Sequence, residues 1–244
     1  MSGAPVKVFV ARDGNAFMRD IAAWIVEGVK EAGRIATLVT DQLPQVDGTI
    51  NLVVAPHEFF EFYEAPKKVL QQAAAACVPV CTEQPGTPWF RLTTEVCRRS
   101  LFALDINPHG VTALRTQGIK AQRLPLGGVA SLTWPGNVAT SQRDLDVLFM
   151  GGLDPHRGAT LAELAPDLFR LHTELRLFRF DRPVSPSTPG LVFGDEKFKL
   201  LSSAKILLNV HRDRSTHLAP GSLGAAPPYF EWARMIEAMT TAAS

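Results

Sequence analysis

The chain has 244 residues, 46% of them hydrophobic, which is more than one domain commonly needs and enough to fill two modest cores. Lys and Arg total 25 against 24 Asp and Glu, a net charge of +1, so the electrostatic footprint of a nucleic-acid or anionic-membrane binder is missing and small molecules are the expected ligands. The opening Met1-Ser2-Gly3-Ala4-Pro5 lacks the features of a signal peptide and no apolar run has the length of a membrane-spanning helix, so a cytoplasmic location is expected.

Val6-Lys7-Val8-Phe9-Val10 reads as a strand that breaks at Arg12-Asp13-Gly14-Asn15. Apolar residues at 18, 21, 22, 25, 26 and 29 then trace one face of a helix, with Gly33 placed as its C-cap. Strand Ala36 to Val39 closes a βαβ unit. The alternation continues with strand Ile50 to Val54, a helix from Pro66 to Ala76, strand Val78 to Cys81, and a helix begun by Thr87-Pro88 and reaching Arg99. Strand Leu101 to Ile106, helix 108 to 117 and strand Lys120 to Leu124 complete the series. Six strands with intervening helices imply a doubly wound parallel sheet whose ligands bind beyond the carboxyl ends of the strands.

Residues 128–143, rich in Gly, Pro, Ser, Thr and Asn, read as a linker between an N-terminal domain at 1–127 and a C-terminal domain at 144–244. Strand Leu145 to Met150 ends at Gly151-Gly152, and a helix from Arg157 to Phe169 follows, which Pro166 should end or distort. Leu175 to Phe180 alternates apolar and basic residues as a half-buried strand does, and a proline-bearing loop runs to Gly190. Helix 195 to 203, strand Ile206 to Val210, a long loop to Pro228 and a terminal helix are the remaining elements. Cys77, Cys81 and Cys97 have neither the number nor the spacing of a zinc set or a disulfide framework, and read as small buried hydrophobes.

Three stretches, Val147-Leu148-Phe149-Met150-Gly151-Gly152, Lys197 to His211, and Arg234-Met235-Ile236-Glu237-Ala238-Met239, together resemble the two-domain GT-B glycosyltransferases, especially the CgeB-like bacterial group. In layout the resemblance covers most of the chain. It implies two Rossmann-like domains, the second incomplete: by the family pattern the Glu237 helix leads into another buried strand, whereas this sequence stops at Ser244. The open sheet edge left that way would suit a partner chain.

The activity implied is transfer of a sugar from a nucleotide-diphosphate donor to an unknown acceptor, with the nucleotide sugar as co-substrate and neither a cofactor nor a metal. A non-catalytic remnant that holds a ligand or partner is the alternative. In the family a glutamate of the Glu-Ala-Met segment holds the nucleotide ribose, which would be Glu237 here; a second glutamate eight positions earlier is replaced by Tyr229, with Glu231 as a substitute. Gly152 would let the backbone approach the donor, and Arg157 and Lys197 would offset the diphosphate charge. Asn209 and His211, at a strand's carboxyl end, would face donor phosphate or sugar, or else satisfy loop backbone groups.

On the acceptor side stand Gly14, Asn15 and Glu58, with His57 beside Glu58 as the candidate general base. Helix capping by Asn15 and aromatic packing around His57 are the structural alternatives.

Overall fold

The computed structural model of the protein describes residues 3–132, 139–179 and 183–210. These fall into two compact units, residues 3–129 and residues 130–210. The protein is α/β throughout and Rossmann-like in character, with a six-stranded and a three-stranded parallel sheet. Among the described residues no helix is long and apolar enough to cross a membrane.

The first unit runs β1 (Val6–Phe9), α1 (Ala16–Glu31), β2 (Ala36–Val39), β3 (Ile50–Val54), α2 (Pro56–Phe62), α3 (Lys67–Ala75), β4 (Val78–Cys81), α4 (Pro88–Cys97), β5 (Ala103–Asp105), α5 (Pro108–Thr116) and β6 (Ala121–Arg123). Strand order is β2-β1-β3-β4-β5-β6. Because βα crossovers are right-handed, the reversal of direction at β1 sends α1 to one face and the later helices to the other. Burial follows the sequence: β3 is buried along Leu52 to Val54, as a strand covered on both faces must be. Phe9, Val53, Phe59 and Cys77 form one cluster, and Cys81, Phe90, Cys97, Val111 and Leu114 join others in a second. The three cysteines are buried thiols, with Cys81 Sγ 3.5 Å from Cys97 Sγ.

Helix α2 has no counterpart in the periodicity of the sequence. At seven residues it is too short to show a repeating face, and its only advance signal is Pro56 in the first turn.

The second unit contains β7 (Leu145–Gly152), α6 (Pro155–Leu168), β8 (Thr173–Phe178), α7 (Asp195–Ser203) and β9 (Ala204–Leu207), with strand order β8-β7-β9. Single 3-10 turns at Ala130–Leu132 and Thr140–Gln142 precede β7. Helix α6 opens two residues before Arg157 because Asp154 caps it, its side chain accepting from Arg157 N at 2.9 Å. Pro166 lies inside the helix and removes one main-chain bond there, and the helix ends two residues later at Leu168. Strand β8 begins at Thr173 rather than Leu175. Phe149, Leu161 and Val210 form one core cluster of this unit, and Leu145, Leu148, Leu201 and Ala204 another.

Candidate functional site

In the first unit the strand order reverses between β1 and β3, so the crevice expected to take a ligand lies past their carboxyl ends. Two turns border it. After β3, Ala55 adopts φ 49° and ψ 63°, a left-handed conformation that costs a non-glycine residue about 1 kcal/mol. Ala55 N donates to Val80 O, and Ala55 O accepts from the main-chain N–H groups of Glu58 and Phe59. The strand therefore turns straight into α2, and His57 and Glu58 enter the buried edge within one helical turn.

Glu58 reaches across the crevice to the turn after β1. Its Oε2 accepts from Asn15 N at 2.8 Å and its Oε1 accepts from Asn15 Nδ2. Asn15 is the N-cap of α1 but makes no side-chain cap bond; its own N–H and side-chain amide are instead held by the carboxylate. Negative charge is favoured there by the helix dipole. Gly14 is required by this contact: a Cβ would stand 2.6 Å from Glu58 Oε2 and 2.9 Å from Ala11 Cβ. Desolvation raises the Glu58 carboxyl above its ordinary value, with the Asn15 hydrogen bonds opposing the shift. The position that holds a phosphate in nucleotide-binding Rossmann units is thus filled by the chain's own anion.

His57 points the other way along the same edge. Its Nδ1 lies 3.3 Å from Thr93 Oγ1 and its Nε2 3.5 Å from Glu83 Oε1, while its ring packs beside Trp89 with centroids 6.0 Å apart. Burial lowers the His57 pKa to about 4, so the ring is neutral near pH 7 and its contact with Glu83 is polar rather than ionic. Asp105, at the end of β5, is fully buried. Its Oδ1 accepts from Asn107 N at 2.7 Å and its Oδ2 has no partner. Desolvation first, and the nearby Glu83 carboxylate with it, push the Asp105 carboxyl up to about 8 against the opposing Asn107 N–H. Gly110 leaves the space it needs, since a Cβ there would fall 2.1 Å from Asp105 Oδ2.

The second unit repeats the reversal, here between β7 and β9. Helices of such a unit run against the strands, so the first turns of α6 and α7 stand at the carboxyl edge and bring Arg157 and Lys197 there. Both are buried. Arg157 Nη1 donates to Gly152 O at 2.9 Å and Arg157 Nε to Val210 O at 2.8 Å, which ties the end of β7 to the chain beyond β9. The guanidinium also faces the Phe149 ring. Lys197 Nζ stands over the rings of Phe193 and Phe198, at 5.3 Å and 5.1 Å. Asn209 Oδ1 is buried without a hydrogen-bond partner.

The structure accordingly brings Gly14, Asn15 and Glu58 together in one unit and Gly152 and Arg157 together in the other. Two basic side chains expected to face a ligand are directed inward, Arg157 to main-chain carbonyls and Lys197 to aromatic rings. His211, Glu231 and Glu237 lie outside the described residues. Glu83, Thr93, Trp89 and Asp105 are additions that sequence reasoning passed over. Their available signal was position, because Glu83 and Asp105 stand at or just past strand ends.

The sequence also holds an Asp-x-Asp triplet, Asp144-Leu145-Asp146. It stands at the amino end of β7, away from Gly152, and Asp146 is engaged by Lys205 Nζ at 2.6 Å. Among the described residues no group of three or more His, Cys, Asp or Glu side chains is arranged to hold a metal ion. Comparison of the chain with family models, with curated proteins and with solved structures finds no match.

Proposed function

We propose that the protein is a GT-B type glycosyltransferase, taking a nucleotide-diphosphate sugar on its second unit and the acceptor on its first. One observation carries this reading: the buried ionisable side chains at the carboxyl edge of the first unit are the acids Glu58 and Asp105, with neutral His57, whereas those of the second are the bases Arg157 and Lys197. In a weakly screening interior the positive charges project a strong field that favours an anionic diphosphate, whereas among the described residues of the first edge His57 is neutral near pH 7 and the Asp105 carboxyl, pushed up to about 8, is largely protonated there. Arg157 acts here as a fixed positive charge next to the backbone of Gly152, and Lys197 adds to it; both stabilise negative charge accumulating on the departing diphosphate. Glu237 is assigned to the nucleotide ribose. His57, neutral near pH 7, is the base assigned to the acceptor hydroxyl, and the Glu83 carboxylate stands 3.5 Å from its Nε2.

Calorimetric titration of the full chain with a panel of sugar nucleotides, followed by an assay for nucleoside diphosphate release, tests the proposal. Saturable binding with release supports it, and failure to bind any member of the panel overturns it. A second reading, a ligand-holding module without turnover, draws on a specific feature: the Arg157 guanidinium is already engaged by two main-chain carbonyls. Saturable binding without release would select that reading.

A further inference from the structure

Cys81 closes β4 and Cys97 closes α4, and their side chains meet in the core, with Cys81 Sγ 3.5 Å from Cys97 Sγ. Both are buried in the cluster that Phe90, Val111 and Leu114 complete. Cys77 is buried as well, but its Sγ donates to Ala74 O at 3.4 Å. A disulfide holds its sulfurs about 2 Å apart, so the Cys81–Cys97 pair must close by roughly 1.5 Å, a movement that side-chain rotation supplies.

In the closed chain the pair is slow to react. The contact with Cys97 first, and burial with it, hold the Cys81 thiol well above its ordinary range, and a thiol is a far weaker nucleophile than a thiolate. Cys97, however, is the last residue of its helix, and helix ends open locally at small cost. A water-sized oxidant reaches the sulfurs when that turn opens.

We propose that Cys81 and Cys97 form a redox-sensitive latch, closed to a disulfide by hydrogen peroxide, which ties the carboxyl end of β4 to the last turn of α4. One sulfur attacks peroxide as a thiolate; the O–O bond breaks, a sulfenic acid forms, and hydroxide leaves as water with the proton that the thiol gave up. The other sulfur attacks the sulfenic sulfur, the S–S bond forms, the S–O bond breaks, and a second water departs. Two thiols thus lose two protons and two electrons to one peroxide. The consequence falls on His57. Glu83 follows Cys81 by two residues, and Thr93 lies one helical turn before Cys97 on the same buried face of α4; both face the imidazole. Closing the latch makes the two walls around His57 more rigid. The latch stands or falls independently of the transferase reading.

The test uses the full chain. Folded protein is treated with hydrogen peroxide, remaining thiols are alkylated, and linked peptides are mapped by tandem mass spectrometry. A Cys81–Cys97 linkage should form with Cys77 recovered alkylated, whereas the same treatment in urea should give mixed pairings. The oxidised chain should melt about 5 °C higher than the reduced one, because the cross-link restricts the unfolded state, and dithiothreitol should reverse the shift. Amide hydrogen exchange in the last turn of α4 should slow about tenfold on oxidation. Cys77→Ala should keep the linkage, which checks the assignment without touching the pair. Absence of a linkage in the folded chain, a linkage through Cys77, the same single linkage in urea, or a midpoint that oxidation leaves unchanged or lowers would each overturn the proposal.

Discussion

Each unit bridges its own strand-order reversal with a buried side chain, an acid in the first and a base in the second. In the first, Glu58 extends from the turn after β3 to the turn after β1 and bonds Asn15 through its main chain and its side chain. In the second, Arg157 extends from the helix after β7 and bonds carbonyls at the end of β7 and beyond β9. Each is a buried charge satisfied by hydrogen bonds, as burial demands. The lesson is that one strand order can be held by complementary chemistry. An acid collects N–H donors at a helix start, a base collects carbonyls at strand ends, and the sign chosen decides which anions the edge tolerates.

Removing the base should break the comparison most visibly. Arg157→Ala leaves two buried carbonyls without their donor and a cavity beside Phe149, and should cost about 4 kcal/mol, read by urea denaturation. Arg157→Lys should recover only part, since a single ammonium lacks the planar fork that reaches both oxygens.

A change of pH should next set two groups of the first unit against each other. Asp105 goes from an ordinary 3.8 to about 8 on folding, so between those values the folded chain holds a proton that the unfolded chain has lost, and stability falls as pH rises. His57 goes from 6.5 to about 4, so between those values the unfolded chain holds the extra proton and stability rises with pH. The two slopes offset each other from about pH 4 to about pH 6.5, and above that Asp105 alone acts, for a net loss of about 2 kcal/mol by pH 8. Denaturation midpoints across this range should show the decline, and Asp105→Asn should flatten it.

Smaller effects sharpen the picture of the first crevice. Gly14→Ala drives a methyl into Glu58 Oε2 and Ala11 Cβ and should cost about 1.5 kcal/mol by thermal or chemical denaturation. Thr93→Val removes the hydroxyl facing His57 Nδ1 while conserving shape, and should cost about 1 kcal/mol. It should also change the His57 tautomer balance seen by nitrogen NMR.

The parallel alternation was readable from the sequence because several strands carry compact apolar runs, as at Val6 to Phe9 and Leu145 to Gly152. Helix α2 escaped because seven residues carry no period, and β8 was placed two residues late because Thr173 and Glu174 precede its apolar alternation. For the candidate site, sequence reasoning placed Gly14, Asn15, His57, Glu58, Gly152 and Arg157 near the carboxyl ends of strands, which is where they stand. It could not tell which way a long cation turns. Arg157 and Lys197 stand where a ligand was expected, yet their charged ends meet carbonyls and rings of their own unit, an outcome set by tertiary packing and not by spacing. Asp105 was passed over for a related reason: a buried carboxyl against Gly110 depends on a helix approach that no local pattern encodes.

The central claim is that the diphosphate belongs to the unit with buried bases. Hydrogen–deuterium exchange of the full chain with and without saturating sugar nucleotide tests it most directly. The account predicts added protection across the end of β7 and the first turn of α6, around Gly152 to Arg157, with the turn from Ala11 to Ala16 unchanged. Protection appearing at Gly14 and Asn15 while the β7–α6 turn stays unaltered would contradict it.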